Sequence, residues 1–316
     1  MTPSEQQEPT DIPHEDLVAE LIAKPEFLRV AAGALREIAQ LVLDDGPPDA
    51  AAKTDLTVPW AYDADTLERQ LGDQEAASWI GTTVGLYLAE AAHETMAIAA
   101  LLDAGLVTAS LSPLLRSIFE RLGVATWILD QDSDSMERAW RASLNAIICF
   151  KHYRASINQL GAGSADKKLM AKQHRELREK VQVWFLPEVD AEEPDDCTMW
   201  TRGGSGFPDY DDLAAGSMPR SMPIGVRRGM YTAMCGMTHP NIIVLGESIR
   251  PTANGGVEFF HRPEDIEKLV RATFATLLGG IKLWSGYFNA KADFDAFVVR
   301  ADALADKFDA VFGSLS

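Results

Sequence analysis

The chain has 316 residues, 29 Lys+Arg against 47 Asp+Glu, a formal net charge of −18 and 47% hydrophobic residues. That composition belongs to a globular chain able to bury a large core, and it excludes a fibrous or disordered protein. A surface this acidic repels phosphate on average, which argues against general nucleic-acid binding and against anionic membranes, while leaving room for one small anion held locally.

Residues 1–13 are polar and acidic, with no basic stretch followed by an apolar one. They read as a disordered N-terminus and not as a signal peptide. Residues 14–316 read as a single helical domain. Leu17, Leu21 and Ile22 open a short amphipathic segment. Phe27, Val30, Ala31, Ala34, Leu35, Ile38, Leu41 and Val42 then follow at spacings of three and four, an apolar stripe that predicts a helix facing a core. Gly46-Pro47-Pro48 ends it. A loop with Pro59 and Trp60 precedes a short helix near 65–71. Long helices are predicted over 73–104, 110–129 and 135–160, and Ser164 is read as the cap of another that ends near Leu186-Pro187.

Residues 187–223 differ. They hold five prolines, the Gly203-Gly204-Ser205-Gly206 run, and nine acids against two arginines, so they contribute −7 of the −18. This predicts a long acidic surface loop that buries little apolar area. Helix resumes over 224–238 and stops at His239-Pro240. Ile242-Ile243-Val244-Leu245 and Val257-Glu258-Phe259-Phe260 flank Asn254-Gly255-Gly256, which predicts one hairpin near 242–260. Helices over 263–289 and 292–312 complete the chain. The last is amphipathic, through Phe294, Phe297, Val298, Ala301, Leu304 and Phe308, and suits either a homodimer interface or closure of the bundle. The expected fold is all-α, a multi-helix bundle with one small hairpin.

No apolar run reaches the roughly 20 residues a membrane span needs. Three cysteines, Cys149, Cys197 and Cys235, form no C-x-x-C pair. An odd count in unrelated contexts argues against a disulfide framework, so the protein is expected to be cytoplasmic.

Chemistry concentrates in three places. In the predicted helix 110–129, apolar nearly all round, Arg116 and Glu120 lie four apart on one face with Gly123 and Trp127. Charges inside a buried helix must be paired or bound, so the two form either an internal salt bridge or an arginine fork presented to an anionic or carbonyl ligand. In helix 224–238, Arg228, Tyr231, Cys235 and His239 align at spacings of three and four. This row is either a proton-handling pocket edge or a hydrogen-bonded seam between helices. In helix 73–104, Glu90-x-x-His93 is half of the carboxylate di-iron motif, with no second copy. Glu120 and His239 could complete a set of Glu90, His93, Glu120 and His239 for iron or another divalent metal. No P-loop, dinucleotide fingerprint or nucleophile elbow is present.

The order His93, Leu102-x-x-Gly105, Leu115-Arg116-Ser117-x-x-Glu120, Trp127-x-Leu129, then Tyr231-x-x-x-Cys235-x-x-x-His239-Pro240 resembles a group of uncharacterised helical bacterial proteins, actinobacterial in composition, that share an Arg-x-x-x-Glu and Tyr-x7-His pattern. The resemblance implies a helical fold and a grouping of these residues, and implies no chemistry. Three functional readings follow. The first is a cytoplasmic helical protein whose buried polar pocket, lined by Arg116, Glu120, Tyr231, Cys235 and His239, binds a small polar or anionic molecule. The second is a metal-dependent, iron-using oxidative enzyme. The third is a protein-interaction module whose polar seam is purely structural.

Overall fold

A computed structural model describes residues 25–45, 56–73, 75–106, 111–160, 163–188, 196–238, 249–251, 257–259, 263–288 and 291–312. Among them are ten α-helices: α1 (Pro25–Asp45), α2 (Pro59–Leu71), α3 (Glu75–Asp103), α4 (Leu111–Ile128), α5 (Ser135–Gln159), α6 (Ser164–Phe185), α7 (Tyr210–Ser217), α8 (Ile224–Thr238), α9 (Pro263–Phe288) and α10 (Lys291–Phe312). The all-α, multi-helix architecture is as the periodicity indicates. None of these helices is long and apolar enough to cross a membrane.

α3 is the central pillar. Ala76, Ala77, Ile80, Val84, Leu88, Ala91, Ala92, Ile98, Ala99 and Leu102 are all buried, and its many alanines let α1, α2, α4, α5 and α9 approach closely. The stripe of α1 buries Ala31, Leu35, Ile38 and Leu41, while Val30 at its margin stays 42% exposed. α4 packs between α3 on one side and α7, α8 and α9 on others. α10 lies on α1 and α9, where Phe308 stacks on Phe274 with ring centroids 4.2 Å apart. It closes the bundle there.

Helix ends follow local chemistry. Pro59 opens α2, where its missing N–H costs nothing. Asp134 caps α5, accepting from the Glu137 backbone N–H at 2.7 Å. Ser164 is the first residue of α6 and not its cap; Gly163 holds the cap position with no side-chain bond.

The expected surface loop over 187–223 is corrected. Within it Tyr210–Ser217 is helix, and Leu213, Ala214 and Ala215 are buried, as are Cys197, Trp200 and Met218. Proline, glycine and acid content masked a few apolar residues that each fill a socket. Gly203 and Gly204 both have positive φ, 57° and 80°, and they turn the chain tightly between bridged Arg202 and Ser205. Ser205 then anchors the segment: its hydroxyl donates to Glu137 Oε1 at 2.6 Å and its carbonyl accepts from Trp140 Nε1 at 3.1 Å. α7 comes so close to α4 that a Cβ on Gly123 would lie 2.3 Å from the Leu213 carbonyl oxygen. No other residue type fits there without separating the two helices.

The strands described are β1 (Ile249–Pro251) and β2 (Val257–Phe259), antiparallel, with Arg250 opposite Glu258. The first strand expected from sequence, 242–245, lies outside the described residues.

Candidate functional site

Arg116 and Glu120 leave α4 one turn apart. Arg116 Nε donates to Glu120 Oε1 over 2.6 Å, and Tyr231 Oη, reaching in from α8, donates to the same oxygen over 2.5 Å. The guanidinium lies 5.8 Å from the Tyr231 ring centroid. Cys235, one turn along α8, adds to the rise of the Tyr231 phenol's pKa. Four sequence-predicted residues, Arg116, Glu120, Tyr231 and Cys235, are thus brought together. Arg228 is not among them, because it pairs with Asp212 at the surface. His239 lies outside the described residues.

Two expectations about this cluster are corrected. Arg116 and Glu120 are not fully buried: their side chains keep 25% and 23% of their exposure, because they leave α4 at the margin of its contact with α8. The set of Glu90, His93 and Glu120 does not assemble. Glu90 and His93 are on the exposed face of α3, while Glu120 turns to α8. Among the described residues no group of three His, Cys, Asp or Glu side chains is placed to hold a metal ion.

Burial, together with the hydrogen bond to Glu120, pushes the Tyr231 phenol well above its ordinary pKa. The same carboxylate holds Arg116 above its ordinary value. Tyr210, at the start of α7, is raised by burial and then by Cys149 and Glu120. It stands electrostatically between this cluster and a second one, in which Asn145 Nδ2 donates to Tyr87 Oη at 3.0 Å and Cys149 Sγ lies 3.4 Å from the same oxygen.

A different polar centre, which no sequence motif announces, sits where α2, α5 and α9 meet. Asp63 of α2 is wholly buried. Arg138 of α5 grips it with a two-pronged contact, Nε to Oδ2 and Nη2 to Oδ1, both 2.7 Å. Ser135 Oγ donates to Oδ1 at 2.6 Å and Tyr287 Oη, from α9, to Oδ2 at 2.7 Å. Arg138 Nη1 also donates to the Ser133 carbonyl. Burial opposes the charge of Arg138, but Asp63 outweighs it and holds the guanidinium above its ordinary pKa. Burial, then Asp63, pushes Tyr287 far up. A buried charge pair tolerates its desolvation when geometry is bidentate and the remaining lone pairs are occupied, and here both conditions hold.

This network forms one wall of a cleft of about 620 Å³. α2 contributes Pro59, Tyr62, Thr66 and Gln70, the turn into α5 contributes Gln131, Ser133 and Ser135, and α9 contributes Lys282, Leu283, Gly286 and Tyr287. The Thr66 hydroxyl is buried with no hydrogen-bond partner among the described residues. Lys282, at the edge, is paired with Asp302 at 2.7 Å. A second, mostly apolar cleft of about 230 Å³ lies between α1, α9 and α10, beside the Glu37–Lys307 ion pair. Neither cleft is lined by Arg116, Glu120, Tyr231 or Cys235.

No known family, curated protein or solved structure matches the chain.

The sequence reading missed the Asp63 centre because its members are 75 and 224 residues apart. Two signals pointed that way. Asp63 shares an amphipathic helix with the apolar Ala61 and Leu67, and Ser135 and Arg138 are three apart at the start of a helix whose interior is apolar.

Proposed function

We propose that the protein binds a small polar molecule in the cleft between α2, the turn preceding α5, and α9. The observation that carries this reading is a cleft of about 620 Å³ whose lining brings together the polar side chains of Tyr62, Thr66, Gln70, Gln131 and Ser133. Polar side chains grouped on the wall of such a cleft are the groups that fix a ligand's orientation. The volume falls in the range of roughly 300–1,000 Å³ occupied by small-molecule sites. Asp63 supports the reading further, since a carboxylate holding Arg138, Ser135 and Tyr287 at fixed positions gives the wall a preset shape. The Arg116–Glu120–Tyr231 cluster serves in this account as a tie between α4 and α8.

The test uses Gly286. A Cβ there meets nothing within 4 Å, so Gly286→Leu fills the cleft, and it also removes a helix-interior glycine that costs about 0.5–1 kcal/mol. Ligand-observed NMR against mixtures of small polar metabolites should give binders to the wild-type protein that Gly286→Leu no longer binds, with a melting temperature equal or higher. Binders retained by the variant, or none at all, would overturn the proposal.

A further inference from the structure

We infer that the ligand of this cleft carries no negative charge and is rich in hydroxyl groups, a saccharide or polyol; the inference rests on the cleft being the binding site. Every cation on the walls is already committed to a carboxylate. Arg138 is neutralised by Asp63, with Nε and Nη2 on that carboxylate and Nη1 on the Ser133 carbonyl. Lys282 is neutralised by Asp302 at 2.7 Å. The N-terminal end of α5, where an anion would otherwise be welcome, already holds the Asp134 carboxylate on the Glu137 N–H. An anion entering the cleft would meet Asp134 with no uncommitted cation opposite, and would leave water without compensation.

The groups facing the cleft are hydroxyls and amides: Tyr62, Thr66, Ser133, Gln70 and Gln131. Each can both donate and accept. A ligand hydroxyl has the same double capacity, so a ring of hydroxyls can pair with such a wall in either direction. Pro59, Leu129 and Leu283 add apolar surface on the same cleft, the complement of the C–H face of a sugar ring. Thr66 lines the same wall, and its hydroxyl has no protein partner among the described residues.

The experiment compares glucose, maltose and glycerol with glucose 6-phosphate, glucuronate and adenosine by ¹⁵N-shift titration of the full chain, in the wild type, Thr66→Val and Gly286→Leu. The expected result is saturable shifts with glucose or maltose, at least tenfold weaker binding of glucose 6-phosphate and glucuronate, a loss of about tenfold in Thr66→Val, and abolition in Gly286→Leu. Tighter binding of the phosphorylated or carboxylated sugar than of glucose overturns the inference. So does cleft-dependent binding of adenosine with no response to any sugar or polyol, although the ligand-binding reading itself then stands. No cleft-dependent response to any probe, here or among metabolite mixtures, overturns both.

Discussion

Replacing Asp63 with Ala removes the acceptor shared by Arg138, Ser135 and Tyr287. Asp63 is fully buried, and the Arg138 side chain keeps 12% of its exposure. The variant therefore leaves a guanidinium almost out of water without its counter-charge. Breaking one side of such a pair costs roughly 3–5 kcal/mol, a large part of the 5–15 kcal/mol that holds a typical domain together. Ser135 and Tyr287 are themselves buried, so their orphaned hydroxyls add to that loss. At about 2 °C per kcal/mol for a chain of this size, Asp63→Ala should melt roughly 6–10 °C lower, with a matching fall in the urea midpoint. The double variant Asp63→Leu/Arg138→Met removes both charges, and buried pairs so replaced are often neutral or more stable. It should recover the part of the loss due to the unpaired charge, and stay below the wild type by the cost of the orphaned Ser135 and Tyr287 hydroxyls, about 1–3 kcal/mol each. A loss below about 1 kcal/mol for Asp63→Ala, or a double variant as unstable as the single, would refute the assignment of Asp63 as the organising group of this wall.

Glycine substitutions separate contact from conformation. Gly123→Ala must push α7 off α4, because its Cβ would lie 2.3 Å from the Leu213 carbonyl, and should cost about 1–3 kcal/mol in chemical denaturation. Gly33→Ala, with nothing within 4 Å, should gain up to about 1 kcal/mol by the same assay. At the α4–α8 tie, Tyr231→Phe should cost about 1.5–3 kcal/mol, since its hydroxyl serves a carboxylate. A double-mutant cycle on the partly exposed Arg116–Glu120 pair should give about 1 kcal/mol or less. Burial raises Tyr87, Tyr210, Tyr231 and Tyr287 above the ordinary phenol pKa of 10.0. The folded state thus keeps protons that the unfolded state releases, and stability should be complete below pH 10 and fall as pH rises above it. Phenolate absorbance at 295 nm should then show those four groups ionising together with unfolding, and independent ionisation of all four in folded protein would contradict this. Asp196, hydrogen-bonded by Lys151 and Thr198, is lowered to about 2. Its contribution is present above the ordinary 3.8 and lost as pH falls towards 2, and Lys151→Met should move its NMR titration upward.

The bundle was legible because its period is local. Leu35, Ile38 and Leu41, or Leu115, Ile118 and Leu122, announce buried helix faces by spacing alone, and they are buried. The cluster of Arg116, Glu120, Tyr231 and Cys235 was half legible for the same reason. Each pair sits one turn apart on its own helix, and the meeting of α4 with α8 then required one contact. Their degree of burial was not legible, since it depends on where the partner helix stops. The 187–223 segment misled because composition averages over residues: Cys197, Trp200 and Leu213 are few, yet each is buried. The Asp63 centre depends on three helices converging across 224 residues of sequence, and no periodicity encodes that.

The central claim is that the cleft between α2, α5 and α9 receives a hydroxyl-rich ligand. It is tested most directly by mapping backbone amide shifts as glucose or maltose is added to the wild-type protein. Shifts should concentrate on residues 59–70, 129–138 and 282–287 and be absent in Gly286→Leu. Shifts centred on Arg116 and Tyr231, or on the apolar cleft beside Glu37 and Lys307, would contradict it.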